Sequence, residues 1–284
     1  MIYRVLHRSE YEYAGTVDLA SHLLHLRPRS LPHQRVLSSR ITADPAPARQ
    51  SDATDHFGNT ATWLFVDRPH GAFTVTAEGL VDVRFPDPPA AADTPPWEQV
   101  AAQAPSAAAA EFLFDGPLAA GTDAVRAYVA AAFPPGRPVL EGLLELNRRI
   151  YDEFDFDSEG TTIATPVADV LAQRAGVCQD FAHLMAAGLR TLGLPARYVS
   201  GYIRTHPPPG KPRLVGADQS HAWVGCWIGG QGWVDLDPTN SVVVRDEHVV
   251  LGWGRDYADV SPTRGMILGG GKHALEVSVD LEPA

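Results

Sequence analysis

A thiol and an imidazole set far apart in the chain are the residue types through which this sequence could do chemistry. Cys178 opens a segment in which Phe181, Met185 and Leu189 recur at steps of four, with Leu184 and Gly188 on an adjoining stripe. That spacing predicts a buried helix, and Gly193 ahead of Leu194 and Pro195 supplies its stop signal. The cysteine therefore falls at the helix start. Helix N-termini present N–H groups without partners and a partial positive charge, both of which favour thiolate over thiol. Cys178 is the candidate nucleophile. Cys226 lies on the apolar face of a strand pattern with Ala222, Val224 and Ile228, and reads as a packed core thiol.

A thiol nucleophile needs a base. Ser220 to Ile228 and Trp233 to Asp237 alternate as two strands, and Gly229, Gly230 and Gly232 between them predict a tight hairpin. A three-residue loop is the simplest register that keeps both apolar faces together, and it sets Ile228 opposite Gly232 and Trp223 opposite Asp237. His221 then lies diagonally across from Asp237, about 7–8 Å away along the backbones and within side-chain reach. Asp235 falls opposite Gly225, one step further off, so Asp237 is the better orienter. An imidazole in reach of the thiol can take its proton, and a carboxylate on the other ring nitrogen fixes the tautomer and stabilises the imidazolium. The backbone N–H of Cys178 is available to an oxyanion formed from an attacked carbonyl. These parts make acyl transfer.

Length and composition bound the setting. The 284 residues suffice for one large or two modest domains, and 45% hydrophobic content is that of a soluble globular protein. A net charge of −11 argues against nucleic acid or an anionic membrane as partner. The N-terminal residues lack a signal-peptide core and no apolar run approaches the roughly 18 residues of a membrane span, so a cytoplasmic location is expected. Two cysteines in that setting are expected to stay reduced, and with eleven dispersed histidines they make no zinc-ligand spacing. No metal or cofactor is expected.

The elements that must position these residues follow in order. Residues 1–85 alternate as short strands, Tyr3, Val5 and His7 against Arg4, Leu6 and Arg8, then Arg35 to Thr42, Thr60 to Val66 and Phe73 to Val83, which suggests an antiparallel sandwich or half-barrel. Its histidines read as ordinary surface or hydrogen-bonded residues. Residues 86–122 are rich in Ala and Pro, a linker or a chain draped over a surface. Helices are expected at Ala107 to Phe114, Asp123 to Phe133 and Leu140 to Phe154, and another from Thr165 and Pro166. The span 123–284 then carries the nucleophile, the hairpin, a strand over Arg197 to Arg204 and a closing strand near Ala274 to Leu281. The polar stretch Thr205 to Pro212 is an exposed hairpin tip or a lid.

Gly176 to Leu184, Gly193 to Tyr202, Ser220-His221-Ala222-Trp223 and Asp237-Pro238-Thr239-Asn240 together resemble the transglutaminase-like cysteine-enzyme superfamily. The resemblance is closest to its bacterial branch of provisionally assigned cysteine proteases, and residues 1–85 resemble the N-terminal region that accompanies the core there. Gly254 to Pro262 with Arg264 and Gly265 resemble the branch's C-terminal signature. The resemblance implies an α+β fold, with the β-rich first region followed by a papain-like catalytic core in which a helix bearing the cysteine packs on an antiparallel sheet. It implies Cys178 as nucleophile, His221 as base and Asp237 as orienter, the set the hairpin register reaches separately. It does not choose between hydrolysis of a peptide, isopeptide or other amide and crosslinking of glutamine to an amine. A non-catalytic scaffold is the reading from a different class. No Asp-x-Asp-x-Asp-Gly loop is present, so calcium activation is not expected. Around the triad, Asp180 either holds a neighbouring loop or complements the helix dipole, Trp223 either walls the acyl pocket or packs in the sheet, and Asn240 either bonds near the histidine or serves a turn. By resemblance, Asp256 and Tyr257 line the cleft.

Overall fold

The computed structural model describes residues 1–205 and 218–284, and most of the expected tip or lid after Thr205 lies outside them. The chain opens with five strands, β1 (Ile2–Leu24), β2 (Gln34–Asp44), β3 (Arg49–Thr54), β4 (Thr60–Val66) and β5 (His70–Val83). It continues through α1 (Trp97–Gln103), α2 (Asp123–Ala130), α3 (Val139–Glu153), β6 (Asp155–Phe156), α4 (Val167–Gln173), β7 (Ala175–Gly176) and α5 (Cys178–Thr191). Next come β8 (Ala196–Ile203), β9 (Gln219–Trp227), β10 (Trp233–Asp237), β11 (Val242–Val243), β12 (His248–Gly254), α6 (Tyr257–Val260), β13 (Thr263–Gly269) and β14 (His273–Pro283).

The expected sandwich is realised as one antiparallel sheet curled on itself. β1 is long enough to serve twice: its first half pairs with β5 on one side and β14 on the other, its second half with β4 and β13. Val17, Ala20, Leu24, Leu64 and Val66 from one half meet Ile41, Phe73, Val75 and Ala77 from the other in a buried cluster. β1 begins as the alternation predicts, with Tyr3, Val5, His7 and Ser9 buried and Arg4, Leu6 and Arg8 exposed.

Two assignments change. β13 and β14, inside the span read as the catalytic segment, join the first sheet instead, because an alternating pattern identifies a strand without saying which edge receives it. The helix expected over Ala107 to Phe114 is a single 3₁₀ turn, Ala110–Leu113; alanine content alone does not repay helix nucleation between Pro105 and Gly116. Residues 86–122 are draped over the second unit, with Val100, Ala104, Phe112 and Ala119 buried.

The second unit is an antiparallel sheet in the order β11-β10-β9-β8-β12, with α5 packed on β8 and β9 and the other helices around α5. Gly188 of α5 meets Val129 of α2 so closely that a Cβ would overlap it, which lets the two helices approach. The β9–β10 hairpin has the expected register, Trp233 opposite Trp227, Val234 opposite Cys226, Asp235 opposite Gly225 and Leu236 opposite Val224. The Ile228 N–H closes the turn on the Gly232 carbonyl at 2.9 Å. The two sheets meet where Tyr3, Val5, Val279 and Leu281 pack against Tyr202 and Val249.

Candidate active site

Cys178 is the first residue of α5, half-buried, with Val177 in extended geometry ahead of it. The turn before it is fixed by Asp180, whose Oδ2 accepts the Val177 N–H at 2.9 Å and the Thr161 hydroxyl at 2.6 Å. Asp180 is itself buried. It thus ties down the 157–165 loop as well as complementing the helix start. The N–H groups of the first turn, that of Cys178 among them, find no acceptor inside the helix.

β9 presents His221 to the same place. Its Nε2 donates to Asp237 Oδ2 at 2.8 Å, and the ring lines the same cleft as Cys178, whose thiol interacts with it electrostatically. Both His221 and Asp237 are buried. Burial pulls the imidazole down, but the bond to Asp237 and the interaction with Cys178 outweigh it and raise His221 to about 10. Asp237 shows the mirror effect: burial would raise its carboxyl, while the donors on His221 and His248 hold it well below the usual carboxylate range.

The carboxylate is the best-supplied group in the site. Oδ2 also accepts from His248 Nε2 at 3.2 Å and Asn240 Nδ2 at 2.7 Å, and Oδ1 accepts the backbone N–H groups of Thr239 and Asn240. Asn240 therefore serves both the turn and the carboxylate; its 3.4 Å approach to His221 Nε2 sets two donors side by side on one acceptor. His221, Asp237 and His248 are ligand types that a divalent metal accepts, and their candidate ligand atoms lie within 4.8 Å of one another. A metal there would have to displace the protons that now join them.

His248 escaped the sequence reading because its strand falls in the stretch after Asn240 whose conformation the pattern does not define. His183 is the second such residue. Burial and the neighbouring Arg190 lower it to about 3, and as a neutral ring it accepts the Tyr257 N–H on Nε2 at 3.1 Å. Position 183 lies within the nucleophile motif, so its helical face was legible while its partner, 74 residues on, was not.

The remaining candidates separate. Tyr257 lines the cleft. Asp256 does not: fully buried, it accepts the N–H groups of Leu118 at 2.6 Å and Ala258 at 2.9 Å, and so joins the draped segment to the start of α6. Trp223 packs in the sheet, fully buried, with Nε1 donating to Asp235 at 3.1 Å. It is too far into the sheet to wall the pocket, and Gly201 on β8 leaves the room its ring takes. Asp235 in turn pairs with buried Arg197 at 3.3 Å. The hairpin's two acids thus divide between a structural ion pair and the histidine. Cys226 is buried, which pushes its thiol far up.

Cys178 and His221 open into a cleft of about 340 Å³. The arrangement can hold a proton between sulfur and imidazole, keep that imidazole oriented, and offer helix-start N–H groups to a developing oxyanion. Among the described residues no helix is long and apolar enough to cross a membrane.

Comparison with known proteins bears on both units of the fold. Residues 3–82 match the bacterial transglutaminase-like N-terminal region and residues 126–238 the transglutaminase-like superfamily. An uncharacterized protein of Mycobacterium tuberculosis is 45% identical over 99% of this chain and 92% of its own length. A protein-glutamine gamma-glutamyltransferase of Pseudomonas aeruginosa is 44% identical over 70 residues, 24% of this chain and 10% of that one. The crystal structure of a provisionally designated cysteine protease from Cytophaga hutchinsonii superposes with a TM-score of 0.77 over 100% of this chain and 91% of its own, at 21% identity, and shows the same fold.

Proposed function

The chain belongs to the transglutaminase-like superfamily, whose enzymes resemble it in fold and motif, and from that membership we propose that it performs thiol-dependent acyl transfer on an amide, ending in hydrolysis. The observation that carries the reading is that His221, bonded through Nε2 to Asp237 Oδ2 at 2.8 Å, shares one cleft with Cys178 at the start of α5.

In this reading the Cys178 sulfur attacks the amide carbonyl carbon while the N–H of Cys178 receives the oxyanion. The tetrahedral species collapses with cleavage of the C–N bond, and protonated His221 gives its proton to the departing amine. This leaves a thioester and a neutral imidazole. Water then attacks the thioester, His221 takes its proton, the C–S bond breaks, and acid and thiol are released. Asp237 keeps one ring tautomer through both halves and stays ionised. Cys178 is partly exposed, which leaves the thioester open to water. We further propose a cytoplasmic location, supported by the two cysteines, Cys178 and Cys226, standing as free thiols.

A second reading, transfer to an amine rather than water, is favoured by the likeness to the Pseudomonas glutamyltransferase over 24% of this chain. The two share every step up to the thioester. Incubation with a glutamine-containing peptide and a labelled primary amine separates them: hydrolysis releases ammonia or peptide without label, whereas transfer incorporates the amine. In either case Cys178→Ala abolishes turnover, and turnover that survives it overturns the proposal.

A further inference from the structure

One face of the β1–β14 pair is buried at one end and open at the other. Val5 and Leu281, partners across the strands, pack against the core sheet through Tyr202 and Val249. Further along the same face Ser9 pairs with Val277 and Tyr11 with Leu275, and these four line the cleft that holds Cys178 and His221. The strand face that joins the two sheets therefore continues as a wall of the candidate active site. Leu275 and Val277 are 50% and 46% exposed, apolar side chains turned toward a cleft rather than a core.

The wall carries no charge. Among the described residues lining the cleft there is no Asp, Glu, Lys or Arg, although the chain has a net charge of −11. His7, next to Ser9 on the same face, also lines it. Burial lowers His7 to about 4, so its ring is neutral at neutral pH. Its Nε2 is bonded to Ser9 Oγ at 2.8 Å, while its buried Nδ1 has no partner. An ionic group brought against this surface would leave water without a counter-charge to meet it. An aliphatic or aromatic group would cover Leu275 and Val277 and gain by it.

We propose that the first sheet forms the specificity wall of the cleft, with Tyr11, Leu275 and Val277 receiving an uncharged aliphatic or aromatic group that flanks the reacting carbonyl. The proposal rests on the acyl-transfer reading and names its substrate class. The wall binds and selects; it takes no part in the bond-making steps.

The test uses the full chain and acyl-aminoacyl chloromethyl ketones that differ in one side chain, leucyl, phenylalanyl, glutamyl or lysyl. In each the Cys178 thiolate displaces chloride, forming a C–S bond, and intact mass reports the rate. Iodoacetamide, which carries no flanking group, is the control. The expected result is that leucyl and phenylalanyl reagents react roughly tenfold or more faster than the charged pair. Taken relative to each variant's own iodoacetamide rate, Val277→Lys should slow the leucyl reagent and speed the glutamyl one, and Val277→Glu should speed the lysyl one. Equal rates across the panel, or charge swaps without effect, overturn the proposal while iodoacetamide still labels Cys178. A Cys178 that resists iodoacetamide as well overturns the acyl-transfer reading and the wall's role with it.

Discussion

His248 Nε2 lies 3.2 Å from Asp237 Oδ2, the oxygen that His221 Nε2 reaches at 2.8 Å. Two imidazoles from different strands thus donate to one buried carboxylate atom. The second donor stabilises the anion without contacting the sulfur, so His248 acts through Asp237 as a positioning residue.

Replacing it should therefore move a pH profile. A hydrogen bond to a charged group contributes about 1.5–3 kcal/mol, equivalent to roughly one to two pKa units on the carboxylate. In His248→Phe, Asp237 should protonate at a higher pH, and the acid limb of Cys178 reactivity should move up by about that much. His248→Gln retains a donor and should move it less. Profiles that coincide in all three proteins would remove His248 from the site.

The raised value of His221 has a stability consequence of definite sign. A group whose folded value, about 10, exceeds its ordinary 6.5 stabilises the fold fully below 6.5 and loses that contribution as pH rises through 10. Urea midpoints of the wild type should fall across that window. The fall should be absent in His221→Phe; equal slopes in the two proteins would contradict the pairing.

The hairpin's acids should separate by readout. Asp235→Ala leaves the Arg197 guanidinium buried and unpaired and should cost about 3–5 kcal/mol of stability. The pH dependence of Cys178 reactivity should survive it. Asp237→Asn should do the reverse, with a modest loss of stability and loss of the reactive form at neutral pH.

Asp180 joins the start of α5 to Thr161. Asp180→Ala should cost about 1–3 kcal/mol and raise amide exchange over residues 157–165 and at Val177, the donors and loop it now holds. Exchange that rises only at the helix start would limit Asp180 to a cap.

The parts of this site legible in the sequence are those fixed by short-range geometry. Helix spacing placed Cys178 at a first turn, and the glycine-marked hairpin gave the register that distinguishes Asp237 from Asp235. What sequence periodicity lacks is the partner of a strand. The alternation of Tyr3, Val5 and His7 was visible, yet nothing in it said that the face beyond Val5 would look into the cleft beside β14. His248 was obscure, and Asp256 was assigned to the cleft rather than to the Leu118 N–H, for the same reason, since each acts through a residue distant in the chain or held by an irregular segment. Trp223 shows the converse. It shares a strand face with His221, but the indole lies over Gly201 and bonds Asp235 within the sheet rather than lining the cleft.

A thiol beside a protonated imidazole is the core of the proposed site, and alkylation of Cys178 as a function of pH tests that most directly, with Cys226 in the same chain as the unreactive control. The expected result is labelling of Cys178 well below pH 7 in the wild type, lost in His221→Ala, and none of Cys226 while the fold persists. Labelling no faster than that of a free thiol, or unaffected by removal of His221, would contradict the assignment of Cys178, His221 and Asp237 as a working set.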